Sequence, residues 1–368
     1  MPLKVAIVGC GKIADAHAEQ IRYVPDATLV AVCDREELMG RQLAERFGIA
    51  RCFTDLDELL SQVRPDVVHV TTPPQSHHAI ARRCLEQGSH VYVEKPFTAD
   101  AREAEDLIAL AEATGLRVTV GHDAQFSHAT CRMRELVQQG YVGEPVVHME
   151  SYYGYDLSDG AYARAFVGDR GHWVRRLPGG LLQNVISHGV ARIAEFLCGK
   201  NPQIAAHAFT SPALASRGAD DVFDELRVMI VDEAKTTATF TFSSRMRPSL
   251  HQFRIFGSRN ALVVDELQQT VVKLRGARFK SYAERFVPPF LLAQQHLANA
   301  ATNVRRFLAS DFHMDAGKKR LIAALYRSIE DGTAPPIPYS EILMTARLMD
   351  GIFEEVRTTA SEARGVQR

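Results

Sequence analysis

The chain has 368 residues, which is too long for one compact core and suits two domains. Its 46% hydrophobic and 24% charged residues are ordinary for a globular protein, and a formal net charge of -1 predicts no general attraction to nucleic acid or to an anionic membrane. The first apolar run ends after about six residues, too short for a signal peptide or a membrane span. The six cysteines form no CxxC pair, as in reduced cytoplasmic proteins, and the 14 histidines form no metal-ligand pattern. We therefore expect a cytoplasmic protein without a metal.

Up to Gly121 the sequence alternates between short β-rich runs and helical stretches. The β-rich runs are Lys4–Val8, Thr28–Cys33, Val67–Val70, His90–Val93 and Arg117–Val120. The helical stretches lie near Ala14–Tyr23, Arg35–Phe47, Ser76–Gln87 and Asp100–Ala113. This alternation predicts parallel strands joined by right-handed crossovers, and therefore an α/β Rossmann domain with a doubly wound sheet over residues 1–121.

A different pattern begins after Gly121. A helix near Thr130–Gln139 precedes long β-rich runs that include Val146–Tyr155, Leu226–Val231, Thr236–Ser243 and His251–Gly257. Several runs alternate with a period of two, which predicts a large, mostly antiparallel sheet with one covered face. Amphipathic helices over 317–331 and 340–356 close the chain. We assign residues 122–368, including both helices, to a second domain of the α+β type.

The first strand leads directly into Gly9-Cys10-Gly11-Lys12-Ile13-Ala14. Gly9 permits a tight turn, Gly11 lets a pyrophosphate approach the main chain, and Ala14 is small enough for a helix to pack on the strand. The free N–H groups and the positive dipole end of that helix favour a dianionic ligand. The motif, with Lys12 and Ile13 in its first turn, therefore predicts a dinucleotide-binding loop.

Asp34 ends the second strand and indicates which dinucleotide is bound. A carboxylate there can accept hydrogen bonds from both adenosine ribose hydroxyls and would repel a 2′-phosphate. The alternative is that Asp34 caps the helix starting at Arg35, and both roles can hold. Because the Arg35 guanidinium could bind a 2′-phosphate, we expect NAD and keep NADP as a possibility.

The segment Thr72-Pro73-Pro74-Gln75-Ser76-His77 follows the strand that ends at Val70. Ligands of doubly wound sheets bind at the carboxyl ends of the strands, so Thr72, Pro73 and His77 could line the cofactor. A rigid connector with a helix-capping serine is an equally good interpretation.

The segment Glu94-Lys95-Pro96 directly follows another buried strand. Lys95 therefore lies at the ligand-binding edge of the sheet, where its ammonium could polarise a carbonyl or alkoxide oxygen or exchange a proton with it. The alternative is a solvated surface lysine.

Three segments resemble, in their order and spacing, the motifs of the glucose–fructose oxidoreductase, inositol dehydrogenase and MocA (Gfo/Idh/MocA) family. They are Gly9-Cys10-Gly11-Lys12-Ile13-Ala14, Thr72-Pro73-Pro74-Gln75-Ser76-His77 and Glu94-Lys95-Pro96. The turn Val142-Gly143-Glu144-Pro145 is similar to the one that opens the second domain of that family. The resemblance covers roughly residues 3–260. It implies an NAD(P)-dependent oxidoreductase acting on a carbon of a sugar, sugar derivative or cyclitol. It also implies an open-faced sheet in the second domain that often mediates oligomers, here a homodimer or homotetramer.

A further family signature, a glycine-rich turn followed by an Asp/Asn-x-x-x-His pair, is matched over 179–188. A spacing of four places Asn184 and His188 on one helix face. His188 is suited to move a proton near neutral pH, and Asn184 can orient a substrate hydroxyl. Because Arg192 and Glu195 continue the same stripe, an ordinary solvated face is the alternative.

The sequence departs from the family pattern at four places, all after Gly121. Aspartate is common in the family where Asn184 stands, and an acid often stands where this chain has Ala191. Pro178 replaces the first of three glycines, and His122 opens a segment that usually reads Asn-x-Arg-Phe. These departures bear on the identity of the substrate, for which His122 is a candidate binding residue, more than on cofactor binding.

Trp173 is the only tryptophan and lies beside Arg175 and Arg176. An aromatic platform with guanidinium donors suits a pyranose, so Trp173 and Arg175 are candidate substrate residues. A core tryptophan with two surface arginines is an equal alternative.

Together these residues predict a dehydrogenase mechanism. In this hypothesis His188 accepts the hydroxyl proton as hydride leaves the same carbon, Lys95 polarises the reacting oxygen, and Glu94 helps to place Lys95. Two alternatives remain, a redox-neutral glycosidase with a recycling NAD and a catalytically silent NAD-binding regulatory protein.

Overall fold

The computed structural model of the protein describes residues 2–157, 165–276, 279–280, 282–312 and 315–366, and these fall into two compact units. The N-terminal unit contains the chain up to Asp123 together with Gly317–Arg347. The second unit contains Ala124–Ala316 and the chain from Leu348 onwards. By this division the helix predicted over 317–331 lies in the N-terminal unit, and residues 340–356 are shared between the two units. An amphipathic pattern shows that one helix face is buried, but it does not identify the sheet that buries it.

The N-terminal unit contains the predicted parallel sheet, with six strands where the sequence indicated five. Its strands are β1 (Leu3–Val8), β2 (Ala27–Cys33), β3 (Arg51–Phe53), β4 (Val67–Val70), β5 (His90–Val93) and β6 (Val118–Val120). Their order is β3-β2-β1-β4-β5-β6. The direction of winding therefore reverses between β1 and β4, and ligands bind at such a switch point, beyond the carboxyl ends of the strands.

Five helices connect these strands. They are α1 (Lys12–Ile21), α2 (Glu37–Phe47), α3 (Leu56–Val63), α4 (His77–Glu86) and α5 (Ala101–Thr114). The sequence analysis predicted all of them except α3, which with the three-residue strand β3 forms a short additional crossover. Such short elements carry too little periodicity to be recognised from sequence.

The second unit contains a seven-stranded sheet. Its strands are β7 (Val146–Gly154), β8 (Gln203–Phe209), β9 (Glu225–Val231), β10 (Thr237–Ser243), β11 (His251–Gly257), β12 (Asn260–Asp265) and β13 (Thr270–Arg275). Their order is β13-β12-β11-β7-β10-β9-β8, and neighbouring strands are antiparallel except for the parallel pair β7 and β10. In β10 the side chains of Ala238, Phe240 and Phe242 are buried, while the threonines between them are half-exposed. The predicted mostly antiparallel sheet with one covered face is confirmed.

The remaining helices complete the chain. They are α6 (His128–Gln138), α7 (Gly180–Val185), α8 (Ser187–Ala194), α9 (Pro212–Ala215), α10 (Ala283–Leu308), α11 (Ala316–Glu330) and α12 (Tyr339–Val366). Helix α8 packs directly on the sheet, since a Cβ on Gly189 would lie 2.4 Å from Phe240 Cε2, and the Ser151 hydroxyl donates to the Gly189 carbonyl at 2.9 Å. Among the described residues no helix combines the length and apolarity needed to cross a membrane.

Candidate functional site

The loop between β1 and α1 contains two glycines with different surroundings. Gly9 has a φ of +96°, and a Cβ there would lie 2.6 Å from Thr72 Cγ2 and 2.7 Å from the Thr72 nitrogen. Glycine is required because the loop presses against the chain that follows β4. Gly11 instead has open space, with no atom within 4 Å of a Cβ built on it.

Helix α1 begins directly after Gly11, whose carbonyl accepts the Ala14 N–H at 3.0 Å. Ala14 is fully buried, so the helix lies close to the sheet as its small side chain predicted. Lys12 and Ile13 are exposed in the first turn. The first turn of a helix carries N–H groups without intrahelical partners, which is the feature that anion binding uses.

Asp34 joins the end of β2 to the glycine-rich loop. Its Oδ2 accepts the Cys10 N–H at 2.6 Å, and its Oδ1 accepts the Glu36 N–H at 2.9 Å. Helix α2 begins at Glu37 with Glu36 as its N-cap, so the capping role considered for Asp34 is wrong. A carboxylate has about four lone-pair positions, which leaves capacity for further donors beyond these two. Arg35 beside it is exposed.

The loop after β4 is fixed by the buried ring of His77. Its Nδ1 lies 2.9 Å from the Pro96 carbonyl oxygen, and its Nε2 lies 2.8 Å from the Thr72 carbonyl oxygen. Burial lowers the pKa of this ring. Because both nitrogens face backbone carbonyls of the N-terminal unit, and the neutral ring donates to one of them, we expect His77 to shape the loop rather than to contact the cofactor as the sequence suggested. Thr72 is half-exposed and Pro73 is exposed.

Glu94 is the centre of a buried charge network in the N-terminal unit. Its Oε1 accepts hydrogen bonds from His17 Nε2 and Lys318 Nζ, both at 2.7 Å. Lys318 Nζ also lies 3.2 Å from Asp123 Oδ2. The side chains of Lys318 and Glu94 are only 3% and 7% exposed. Burial alone would raise the pKa of Glu94, but the Lys318 charge and the His17 hydrogen bond hold it well below its usual value.

Two histidines and a tyrosine extend this network. His17 Nδ1 lies 2.7 Å from His69 Nδ1, and His69 Nε2 lies 2.8 Å from the Tyr326 hydroxyl. Burial lowers the pKa of both rings, which favours their neutral forms. Because an ionised carboxylate only accepts, His17 donates from Nε2, His69 donates from Nδ1, and Tyr326 donates its hydroxyl proton. Every donor in the series therefore points toward Glu94.

Lys95 follows Glu94 at the carboxyl end of β5. Its backbone N–H donates to Glu94 Oε2 at 3.1 Å. Gly121, after β6, lies against the same carboxylate, since a Cβ there would be 3.1 Å from Glu94 Oε1. Burial lowers the pKa of the Lys95 side chain, while Glu94 acts in the opposite direction. The buried carboxylate therefore holds the backbone that carries Lys95.

The sequence analysis missed His17 and Lys318. Each is an ionisable residue within an otherwise apolar, buried stripe of a helix. The stripes consist of Ala14, Ala18 and Ile21 in α1, and of Leu321, Ile322 and Leu325 in α11. An ionisable side chain in such a stripe requires a buried partner, and this signal could have identified both residues.

Asn184 and His188 lie in the second unit, on two consecutive helices. The single helix expected for this pair is interrupted at Ile186, between α7 and α8. A break of one residue between two helices leaves the periodic sequence pattern unchanged, so the pattern could not reveal it. The His188 ring stacks on Tyr153 with centroids 6.3 Å apart, and His251 stacks on the same tyrosine at 4.2 Å.

Arg192 lies one turn after His188 and is the largest fully buried side chain described. Its Nη1 lies 3.4 Å from Glu266 Oε1, and its guanidinium carbon lies 5.7 Å from the Tyr153 ring centroid. The interpretation of this face as solvated is therefore wrong at Arg192, because α8 presses it onto the sheet. Sequence reasoning did not identify Glu266 as the partner of Arg192 or His251 as a second ring on Tyr153.

The other predicted substrate residues, Arg175, Trp173 and His122, differ in their burial and in the groups around them. Arg175 Nη1 donates to Asp221 Oδ2 at 2.6 Å and its Nε donates to the Phe166 carbonyl at 2.8 Å. An internal ion pair thus occupies the guanidinium that was expected to face a sugar. Trp173 is half-buried, and His122 is buried in the N-terminal unit directly after Gly121. In the described part of the chain, no three His, Cys, Asp or Glu side chains are grouped to hold a metal.

Two family models match this chain. Residues 3–122 match an oxidoreductase family with an NAD-binding Rossmann fold, and residues 130–263 match the GFO/IDH/MocA C-terminal domain. The chain belongs to the Gfo/Idh/MocA family.

Named Gfo/Idh/MocA relatives have different extents of similarity. The chain is 36% identical over 144 residues to D-glucoside 3-dehydrogenase of Escherichia coli (strain K12), a match that covers 39% of this chain and 41% of that relative. It is 25% identical over 321 residues to scyllo-inositol 2-dehydrogenase (NAD(+)) of Bacillus subtilis (strain 168), which covers 84% of this chain and 89% of that relative. The chain thus spans less than half of the first relative and most of the second.

Solved Gfo/Idh/MocA structures share the fold over nearly the whole chain. An NAD-binding oxidoreductase from Klebsiella pneumoniae superposes with a TM-score of 0.78 at 19% identity and covers 97% of each chain. A scyllo-inositol dehydrogenase from Lactobacillus casei, with bound NAD(H) and scyllo-inositol, has a TM-score of 0.73 at 18% identity and covers 98% of each chain. At these identities the similarity demonstrates the fold alone.

The residues of this Gfo/Idh/MocA Rossmann domain fit NAD. The open space at Gly11, next to the first turn of α1, is what a pyrophosphate needs. Asp34 stands beside that loop with acceptor capacity for ribose hydroxyls. The sequence motif and the local geometry therefore agree on the cofactor.

Replacing either Gly9 or Gly11 should separate the contribution of the loop to folding stability from its contribution to NAD binding. Gly9→Ala places a methyl group against Thr72 at a positive φ, so we expect a lower midpoint of thermal unfolding. Gly11→Ala has room for its methyl group, so we expect unchanged thermal stability and NAD binding weakened about 10-fold or more, measured by isothermal titration calorimetry. Unchanged NAD affinity in Gly11→Ala would contradict a pyrophosphate approaching at this residue.

Removing one charge of the buried network should destabilise the protein. Lys318→Met leaves the Glu94 carboxylate without its cation, and we expect a loss of about 3–5 kcal/mol in the free energy of unfolding, measured with urea. Lys319→Met is the matched control, because its side chain is exposed on the same helix, and we expect a change within about 0.5 kcal/mol. Equal losses in the two variants would refute the network.

The pH dependence of this loss has a definite sign. Because the folded pKa of Glu94 is depressed, its stabilisation is present above its unfolded pKa and disappears as the pH falls through the folded pKa. In Lys318→Met the carboxyl group becomes neutral at a higher pH, so acid relieves the destabilisation. The difference in unfolding free energy between the parent and Lys318→Met should therefore shrink in the acid range.

Proposed function

We propose that this protein is an NAD-dependent dehydrogenase that transfers hydride between nicotinamide and a hydroxyl-bearing carbon of a sugar, sugar derivative or cyclitol. The observation that carries the proposal is the placement of Lys95 at the carboxyl edge of β5, on backbone fixed by the buried Glu94 network. A lysine at this edge of an NAD-binding domain can act on an oxygen atom at the reacting carbon. The named relatives, a glucoside 3-dehydrogenase and an inositol 2-dehydrogenase, support this substrate class.

When bound, NAD supplies the acceptor for the hydride. The chain would hold it through the N–H groups at the start of α1, the carboxylate of Asp34, and the loop at Thr72 and Pro73. The exposed Lys12 and Ile13 belong to the same first turn. We favour NAD over NADP because a fixed carboxylate at Asp34 repels a 2′-phosphate.

Lys95 would hold and polarise the reacting oxygen. An ammonium donor stabilises the negative charge that develops on a hydroxyl oxygen as its proton leaves. Burial lowers the pKa of Lys95 and Glu94 opposes the shift, so its ammonium loses a proton more readily than that of an exposed lysine. Lys95 would therefore donate a hydrogen bond to the reacting oxygen.

His188 would accept the proton of the substrate hydroxyl. The imidazole is the side chain whose ordinary pKa lies nearest neutral pH, and its stacking on Tyr153 restricts the orientation of the ring. Asn184, in the helix before it, would orient a substrate hydroxyl, and His122 and Trp173 would add further contacts. We leave Arg175 out of the substrate set because Asp221 already pairs with it.

We also propose self-association through the outer face of the second unit's sheet, as the family resemblance implies. The side chains of Phe209 and Met229 project from β8 and β9 on the exposed face of that sheet. Exposed apolar residues on a sheet face are typical of a surface covered by another subunit.

Substitution of the two proposed catalytic residues tests the function. In an assay that follows NADH absorbance over a panel of glucosides, inositols and sugar nucleotides, Lys95→Ala and His188→Ala should each lower turnover about 100-fold or more while NAD affinity stays unchanged. Lys319→Ala and His296→Ala are matched controls, because both side chains are exposed, and should retain the parental rate.

Three outcomes of that assay would contradict the proposal. Parental rates in both Lys95→Ala and His188→Ala would remove these residues from the mechanism. Release of an aglycone without net NADH would indicate the redox-neutral glycosidase. Binding of NAD without turnover of any compound in the panel would favour the regulatory protein.

Cofactor choice gives an independent test at Asp34. Asp34→Ser removes the charge that repels a 2′-phosphate and leaves Arg35 in place, so we expect weaker NAD binding and stronger NADP binding. The dissociation constants of both cofactors, measured by titration, should shift their ratio about 10-fold or more toward NADP. An unchanged ratio would show that Asp34 does not contact the adenosine ribose.

A further inference from the structure

Helix α10 packs on the sheet of the second unit with its polar side. Gln295 accepts the Lys273 N–H at 2.7 Å and donates to the Lys273 carbonyl at 3.1 Å. One turn later, Asn299 Nδ2 donates to the Val271 carbonyl at 3.0 Å. These amide side chains satisfy backbone groups along the outer edge of β13, the last strand of the sheet. They also define which side of α10 faces its own unit.

The opposite side of α10 is apolar and uncovered. Its residues alternate in spacings of three and four along the whole helix, which is the heptad pattern of a coiled coil. These residues, called the α10 seam here, are Ala283, Phe286, Phe290, Ala293, Leu297, Ala300, Val304 and Phe307. Phe290, Leu297 and Phe307 are 76%, 72% and 70% exposed. All 26 residues of α10 are described, and none is fully buried.

The exposed area of the seam is large enough for a stable interface. Its aromatic and aliphatic side chains, with Leu308 beside them, expose on the order of 700 Å², given about 150–250 Å² for a whole aromatic side chain. Standard stable interfaces bury about 600–1,000 Å² per partner, so this area lies within their range, whereas the largest apolar patch on a monomer is typically about 300–600 Å².

We propose that the α10 seam binds the α10 seam of a second copy of this chain, with the two helices antiparallel. A two-fold axis that passes between the two helices at the level of Gln295 places large side chains opposite small ones. The resulting pairs are Phe286 with Val304, Phe290 with Ala300, and Leu297 with Ala293. Alternating large and small residues across facing positions is how helices interdigitate without voids.

The helix dipoles favour the same arrangement. In an antiparallel pair the positive N-terminal end of each α10 lies beside the negative C-terminal end of its partner, whereas a parallel pair would bring like ends together.

A second copy explains the seam better than a lipid surface does. A membrane-bound helix needs apolar bulk on one face but gains nothing from alanines at regular core positions. Three alanines in the seam, each opposite a larger residue in the antiparallel register, are specific to helix–helix packing. The seam is separate from the outer sheet face, so this proposal stands independently of the proposed enzymatic function.

The test is the mass of the full-length chain in solution, measured by light scattering after size exclusion over a range of concentrations. We expect the parent to have at least twice the mass of the 40.8 kDa chain. Leu297→Glu, which places a charge in the centre of the seam, should weaken this association about 100-fold or more and halve the mass. Far-UV circular dichroism and thermal unfolding establish that each variant is folded.

Two control variants locate the interface. Thr302→Glu adds the same charge to an exposed position of α10 outside the seam and should leave the mass unchanged. Met229→Glu alters the outer sheet face and should leave the α10 contact intact. The proposal is overturned if Leu297→Glu keeps the parental mass, if Thr302→Glu dissociates equally, or if the parent is monomeric. A monomeric parent that floats with anionic phospholipid vesicles would assign the seam to a lipid surface instead.

Discussion

Burying an ionised carboxylate away from water costs free energy, and the N-terminal unit is organised around one such group, the carboxylate of Glu94. Glu94 keeps its charge in the interior because His17 of α1 and Lys318 of α11 donate hydrogen bonds to it. Taking such charges out of water costs several kcal/mol per ion, which only close pairing and complete hydrogen bonding can offset. The network therefore requires that α1, β5 and α11 come together in a single arrangement.

This constraint has a chemical consequence at the sheet edge. The same carboxylate that binds Lys318 accepts the backbone N–H of Lys95, so the network and the proposed reacting group share one rigid support. Positioning within fractions of an ångström is where much of catalytic power originates. The neutral His17–His69–Tyr326 series extends that support deeper into the unit, since each ring is fixed in one tautomer.

The fold could be predicted from sequence because its evidence is local. Strand–helix alternation in the first half and period-two alternation in the second are properties of neighbouring residues. The glycine-rich loop and Lys95 were recognisable because they follow strands directly. The sequence could not reveal which charged residues pair when they are far apart along the chain, such as Lys318 with Glu94 or Arg192 with Glu266. Helix α10 was missed because Pro288 and Pro289 interrupt its apolar pattern and suggest a break.

The amides that attach α10 to β13 have a further consequence for the behaviour of the chain in a crowded solution. An edge strand with free N–H and C=O groups recruits strands from other molecules, and this is a common route to aggregation. Gln295 and Asn299 occupy those groups on β13, so the helix closes the sheet on that side. Detachment of α10 would uncover the edge of this strand. These two side-chain amides therefore protect an edge strand, a role separate from the proposed chemistry.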